Sequence, residues 1–390
     1  MNLLTASSVG LGLVAHHDLG GYGDGMQVIR HDDAVYVGHT GTSGMGTSIL
    51  DATDPSRPEL VTQWPAPQRS HTHKVQVADG LLLVNHERFP YRAQYTEGFS
   101  AGLAVYRLTD PLRPERAGFW RSGGRGVHRI VWRGGRYAHM SATPPGFRDR
   151  IWVVVDLADP DHPAEAGRWW WPGQREDDTP EWPAGRRYAA HHALIAGDRA
   201  YLGYDDAGMV VLDVSDITHP RLAGRAEWDG GGSTHTCLPL PGRDLVVATD
   251  EQVRDGPGAP RRDIRVLDTS GAEPKVIARC PVPQGFDGLP LRFGAHNLHE
   301  NQPGAYRSER LVFATYFSAG VRVYDLADPA RPAEVAHWIP EPPAGQAVPQ
   351  INDLFVDRDG LLWATDRIGG GLYVLRPDSA LERLMDEARA

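Results

Sequence analysis

Cysteine is nearly absent: Cys237 and Cys280 are the only two in 390 residues, too few for a disulfide framework in a chain of this length. Both are expected to be free thiols in a reducing compartment, which makes a cytoplasmic location the expectation. Positive charge is also short. The formal net charge is −10, without the basic stripe that nucleic acid or an anionic bilayer requires, so neither is an expected partner. The N-terminal stretch MNLLTASSVGLGLVAHHDLGG has a short apolar run with no basic segment ahead of it, too short to span a bilayer. Helical periodicity is missing until the last residues, where 378–390 (DSALERLMDEARA) read as a short surface helix. There is no GxSxG on a strand-to-helix turn, no P-loop and no dinucleotide fingerprint in a βαβ setting.

What is abundant is glycine (44) and proline (31), the punctuation of many short strands joined by tight turns. The strongest signal is self-similarity. SILDATDPSRPELVTQW returns as AVYRLTDPLRPERAGFW, VVVDLADPDHPAEAGRW, VVLDVSDITHPRLAGRA, RVLDTSGAEPKVIARC and RVYDLADPARPAEVAHW. The closing prolines Pro58, Pro114, Pro163, Pro220, Pro274 and Pro332 recur with a period of roughly 50 to 60 residues, near that of kelch-like propeller repeats. In each unit an apolar strand ends, a turn residue or Asp-Pro step follows, and a second strand runs outward. Another strand pair lies upstream of each, giving four strands per repeat, which is one propeller blade.

The pattern predicts one all-β domain, a seven-bladed β-propeller of four-stranded antiparallel blades. The blades fall at about 21–68, 69–122, 123–174, 188–230, 231–284, 291–342 and 347–377. The seventh unit has only three strands, and residues 10–19 (GLGLVAHHDL) match the outer strand AEVAHWIPE of the sixth, so an N-terminal strand is predicted to complete the last blade. These repeats resemble the LVIVD-repeat family of bacterial β-propellers, most clearly at VVLDVSDITHP. A more distant resemblance, at STHTCLPLPGRDLVV and FGAHNLHE, is to the selenium-binding-protein and methanethiol-oxidase group. That group's propellers bind metal at blade-end histidines; the cysteine-rich stretches expected of it are missing here, so its thiol-oxidising activity is not implied.

Aligning the innermost strand of each blade brings Met26, His73, His128, His192, His235, His296 and Asn352 into one register. Five of seven are histidine in a chain with 17 histidines, and equivalent inner-strand positions face the central channel at one height. His73, His128, His192, His235 and His296 are therefore the candidate ligands of a transition metal, since imidazole is its commonest protein ligand. The end of the following strand supplies a second register, His39, His86, His139, Tyr204, Asp250, Tyr316 and Asp366, with Glu251 beside it. Together with His299 and Asn352, this layer is expected to orient the ligands. Arg69, Arg125, Arg187 (or its neighbour Arg186) and Arg292 precede the inner strands and suit an anionic substrate.

The predicted function is a metalloenzyme, with iron or copper favoured and manganese or zinc as alternatives. Oxidoreductase or oxygenase chemistry on a small, possibly anionic substrate is preferred, with Tyr204, Tyr316, His71 and His191 as candidate proton-transfer groups. A manganese or zinc lyase or hydrolase acting on a carboxylate is the second reading, and a non-catalytic metal- or protein-binding propeller the third. The chain is expected as a monomer or small homo-oligomer. The loops RSGGRG, PGQREDDTPEWPAGRRYAA and EQVRDGPGAPRR are the candidates for specificity and for lids.

Overall fold

The computed structural model describes residues 4–91, 96–253, 262–271, 273–286 and 292–390; most of the EQVRDGPGAPRR loop lies outside the described residues. The first blade runs outward through Gly25–His31, Ala34–His39, Met45–Asp51 and Glu59–Pro65. Later blades repeat this antiparallel meander, for example His192–Ala196, Arg199–Gly203, Met209–Asp213 and Arg221–Ala226 in the fourth and Thr234–Leu240, Leu245–Asp250, Ile264–Asp268 and Lys275–Arg279 in the fifth. The second and third meanders are joined into one nine-stranded sheet by a single pairing of Gly126 with Glu87. Counted as meanders, the blades are consistent with the expected seven.

The repeated Asp explains itself locally. Where the third strand ends, the carboxylates of Asp51, Asp156, Asp213, Asp268 and Asp325 accept from the backbone N–H two residues on, at 2.8–3.0 Å. This is the side-chain-closed turn that Asp provides. In the second blade the position is Arg107, which instead pairs with Asp161 of the next blade at 2.6 Å.

The ring closes as predicted. Leu11–His17 lies antiparallel on Gly371–Pro377, with Leu11 opposite Pro377 and His17 opposite Leu372. One feature was not expected: Ser7–Val9 adds a further strand, the fourth regular one of its sheet, to the outer edge of the sixth blade by pairing with His337–Ile339. Gly10 makes the step between blades at φ +74, and a Cβ there would sit 2.9 Å from Ala336 Cβ. The N-terminus thus staples two blades. The sixth blade departs from the pattern in another way: around His296 there is no regular inner strand, only isolated bridges such as Leu298 to Ala314. The tail helix, Ser379–Glu387, is capped by Asp378, whose carboxylate accepts from the N–H groups of Ala380 and Leu381. It buries Leu381 and Met385 against the seventh blade's core. No helix among the described residues is long and apolar enough to cross a membrane.

Candidate functional site

The inner strands carry a bulge at one height. Met26, His128, His235 and Asn352 are each the extra residue between paired neighbours, and a bulge re-aims its side chain. His73 occupies the same place in the second blade, between His71 opposite Glu87 and Val75 opposite Val84. Across from each bulge, the second strand carries a small or short polar residue that docks on the next blade. Asn85 Nδ2 donates to Val127 O (2.7 Å), Ser141 Oγ to His191 O (2.9 Å), Thr249 Oγ1 to His296 O (2.8 Å) and Thr315 Oγ1 to Asn352 O (3.1 Å).

Where the residue is glycine, the backbones themselves touch. A Cβ on Gly203 would lie 2.3 Å from His235 O, so Gly203→Ala must push the His235 strand aside. It is expected to cost about 1–3 kcal/mol in denaturant unfolding. Gly224→Ala, with open space around it, is expected to stay within about 0.5 kcal/mol.

This register corrects the fourth blade. His192 pairs with Gly203, and it is His191 whose N–H bonds Gly203 O (2.8 Å), just as His296 N–H bonds Thr315 O (2.9 Å). The ring is therefore His73, His128, His191, His235 and His296. Successive ring centroids are 5.2, 4.8, 3.9 and 4.4 Å apart. His192 lies one layer deeper, its Nε2 3.1 Å from Glu300 Oε1 and its Nδ1 3.2 Å from Thr236 Oγ1.

The five histidines line the floor and walls of a cavity of about 540 Å³ at the channel mouth, with Lys74, Glu87, Arg88, Tyr91, Arg125, Arg150, Arg187, Glu251, Arg292 and Arg367. Three of the four expected arginines are present in this wall. Arg187 is held by Asp149 (2.7 Å) and Asp205 (2.8 Å), and Arg292 by Glu251 (2.8 Å). Arg125 donates to Arg148 O. Arg69 stays outside the wall, reaching toward Glu97 O (3.4 Å), and Arg186 pairs with Glu227 (3.3 Å).

The second register does not form one layer around the site. His39 is fully buried between Asp24 (2.6 Å) and Ser48 (2.7 Å), and His86 bonds Ser100 Oγ (2.8 Å). His139 sits near the opposite end of its strand, paired with Val131 and stacked on Trp152. Asp250 serves Arg265, Trp228 and Thr234, while Asp366 caps backbone N–H groups of Gln350, Ile368 and Gly370. His299 bonds Tyr306 O (2.7 Å). The Tyr204 hydroxyl bonds Gln174 and the Tyr316 hydroxyl is sealed in the core, so neither reaches the cavity. None of these groups lines the cavity, so the roles expected of them beside the ring are corrected to structural ones. Asn352 holds the ring together, donating to Met26 O (2.5 Å) and offering its carbonyl to His296 Nδ1 (2.6 Å). His71 lies behind the wall, stacked on His73 and bridging Thr40 O (3.1 Å) to Glu87 (2.9 Å).

Sequence reasoning passed over Glu87 and Lys74. Glu87 accepts from both His71 and His128 (2.8 Å). Burial would raise its pKa, but these two histidines hold it well below the usual carboxylate range. Burial lowers the ring histidines too, His128 to about 3 and His73, His191, His235 and His296 well below the ordinary imidazole value. The ring is therefore neutral at pH 7.

Following the hydrogen bonds shows which lone pairs are left. His128 donates through Nδ1 to Glu87, so its Nε2 accepts from His191 Nε2–H at 3.2 Å. That leaves His191 Nδ1 unprotonated, and it is buried without a partner. Glu300 favours the proton on His192 Nε2, so Thr236 donates to His192 Nδ1 and accepts from His235 Nδ1 (2.8 Å), freeing His235 Nε2. His296 donates to Asn352 O, and its free Nε2 faces Glu251 Oε1 at 3.7 Å. His191, His235 and Glu251 bring ligand atoms within 4.8 Å of one another, a donor set of the kind that holds a transition metal. His71, His73 and Glu87 meet the same distance criterion.

Residues 189–227, which include His191 and His192, match the LVIVD repeat. No curated protein matches the chain. Among solved structures, the C-terminal WD40 domain of Sif2 superposes with a TM-score of 0.60 at 10% identity, over 94% of this chain and 99% of that one. The WD40 β-propeller domain of Doa1 gives 0.58 at 8% identity, over 95% and 99%. Raptor of Chaetomium thermophilum gives 0.56 at 13% identity over 95% of this chain, which spans 30% of that protein. At such identities the likeness is one of fold. The chain is a β-propeller that carries an LVIVD repeat.

Proposed function

We propose that the chain is a metal-dependent enzyme acting on a small anionic substrate at the mouth of the propeller channel. The observation that carries this reading is the grouping of His191, His235 and Glu251, whose ligand atoms lie within 4.8 Å of one another, with His191 Nδ1 buried and without a partner. A carboxylate among imidazoles favours iron over copper, because two histidines and one carboxylate with open positions are the donor set of non-haem iron oxygenases. Iron there supplies a redox-active Lewis acid. The chain's own residues do the rest. Arg292 fixes Glu251, and Arg150 and Arg187, anchored on Asp205, give the wall the positive potential that draws an anion in.

A second reading, a manganese or zinc lyase, is favoured by one observation: Arg125, Arg150, Arg187 and Arg292 in the cavity wall offer planar forks suited to a carboxylate-bearing substrate. Metal analysis of protein purified without chelator separates the two. About one iron per chain is expected, falling at least tenfold in the His191→Ala/His235→Ala double variant while circular dichroism shows the fold retained. Colourless protein holding manganese or zinc replaces the first reading with the second. Absence of any transition metal, or metal unchanged in the double variant, overturns both.

A further inference from the structure

His73 meets the distance criterion for a ligand, yet its hydrogen bonds assign it another task. Asn85 Oδ1 accepts from the Lys74 backbone N–H at 2.7 Å, which fixes the orientation of the amide. Its Nδ2 therefore carries both hydrogens: one goes to Val127 O at 2.7 Å, the other points at His73 Nδ1 at 3.2 Å. A ring nitrogen that accepts has no proton, so the neutral imidazole carries its proton on Nε2. A metal-bound histidine shows the reverse arrangement, donating through its outer nitrogen to an acceptor. His73 Nε2–H is fully buried and has no partner.

The next residue presents a second such donor. Lys74 is 2% exposed, and among the described residues its amine makes no hydrogen bond and no ion pair within 4 Å; burial and the Arg129 charge lower it to about 7, against the Asp353 and Glu300 carboxylates that favour its protonated form. Strict strand alternation would send His73 and Lys74 to opposite faces, but the irregularity between His71 and Val75 turns both to the cavity, and both line it. Buried donors without acceptors are costly unless something accepts from them. His73 and Lys74 belong to the second blade, whereas His191, His235 and His296 belong to the fourth, fifth and sixth, across the channel.

We propose that His73 Nε2–H and Lys74 Nζ form the anchoring subsite for the carboxylate of the substrate, with Asn85 as the positioning residue that sets the His73 tautomer. This rests on the reading of the cavity as a substrate chamber, and it removes His73 from the ligand set. The substrate class is a small carboxylic acid, held by its carboxylate on the second blade and presenting its reactive end to the opposite side.

Acetate is the probe, titrated into metal-free, full-length protein labelled with ¹⁵N-histidine, with the His73 signals assigned by their loss in His73→Gln. The expected result is an Nε2–H tautomer for His73 and a saturable shift of that proton with acetate. Lys74→Met should weaken acetate at least tenfold, the scale of one lost charge-assisted hydrogen bond. Asn85→Asp should move the proton to Nδ1 and abolish the shift. An Nδ1–H tautomer in the unaltered protein, no saturable acetate shift, or equal acetate affinity in Lys74→Met overturns the subsite. Metal content measured on Lys74→Met keeps the two proposals apart: an unchanged metal content with unchanged acetate binding sinks the subsite and leaves the metal site standing.

Discussion

Metal-free protein taken from pH 7.5 to pH 4.5 is expected to lose most of its conformational stability, with the loss beginning near pH 6.5. His86, His192 and His299 are buried, and burial lowers each to about 4. The sign follows from proton uptake. Above pH 6.5 these rings are neutral folded or unfolded, and they contribute no pH dependence. Below it the unfolded chain binds protons that the folded chain refuses until about pH 4, so stability falls as pH falls. Each ring contributes about 1.4 kcal/mol per pH unit across that window, and three contribute about 4 kcal/mol per unit. Native domains have roughly 5–15 kcal/mol in hand. Below about pH 4.5 Glu87 and Glu300, both held low in the folded chain, add to the loss as their stabilisation is titrated away. Calorimetry at half-unit steps reads this directly, and a melting temperature flat between pH 7 and pH 5 contradicts it.

Removal of the first 17 residues is expected to have an effect of similar size by a different route. Leu11–His17 supplies the fourth strand of the seventh blade, and Leu11 and Ala15 are buried in it. Without it the edge of Gly371–Pro377 is unpaired, and so is the outer edge of Ala333–Ile339 that Ser7–Val9 covers. A lost ladder at about 1 kcal/mol per hydrogen bond, with about 2 kcal/mol for the leucine, sums to on the order of 5 kcal/mol or more. The bare edges also invite association between chains. The truncated chain should melt roughly 10 °C or more below the parent, or be recovered as aggregate. A truncated chain with the parent's melting temperature and solubility would show that closure contributes little. Gly10→Val is the milder version, forcing a branched side chain into a left-handed backbone against Ala336.

Much of this was legible in the residues. The Asp-Pro repeat encodes a turn that closes on itself within a few residues, so its periodicity transmits blade architecture directly. The closing strand was readable because an outer strand has the same half-buried face wherever it is made. Five channel histidines were foreseen, four at the right residue. The fourth blade slipped by one because His191 and His192 are adjacent, and a bulge is decided by how the next blade packs, here by Gly203 against the backbone of His235. The corresponding irregularity of the second blade, between His71 and Val75, hid Lys74, which strict alternation sends to the far face. His139 was assigned to the wrong end of its strand because the seven-residue Tyr137–Thr143 offers no marker of which end faces the mouth. Tyr204 and Tyr316 were read as reactive from their register, but a phenol at a blade top turns to whichever side has room, and in both cases that side is the core.

The N-terminal staple also sets an order of events in the cell. Leu11–His17 is made before the blades and pairs with Gly371–Pro377, made after them, so at ribosomal rates of about 5–20 residues per second it waits roughly 20–70 s for its partner. Six blades can form in sequence as they emerge, but the ring stays open until Gly371–Pro377 emerges and takes up Leu11–His17. Fidelity of the whole circle is thus checked at one place, where strands from the two sides of the ring meet, with Gly10 making the left-handed step between them.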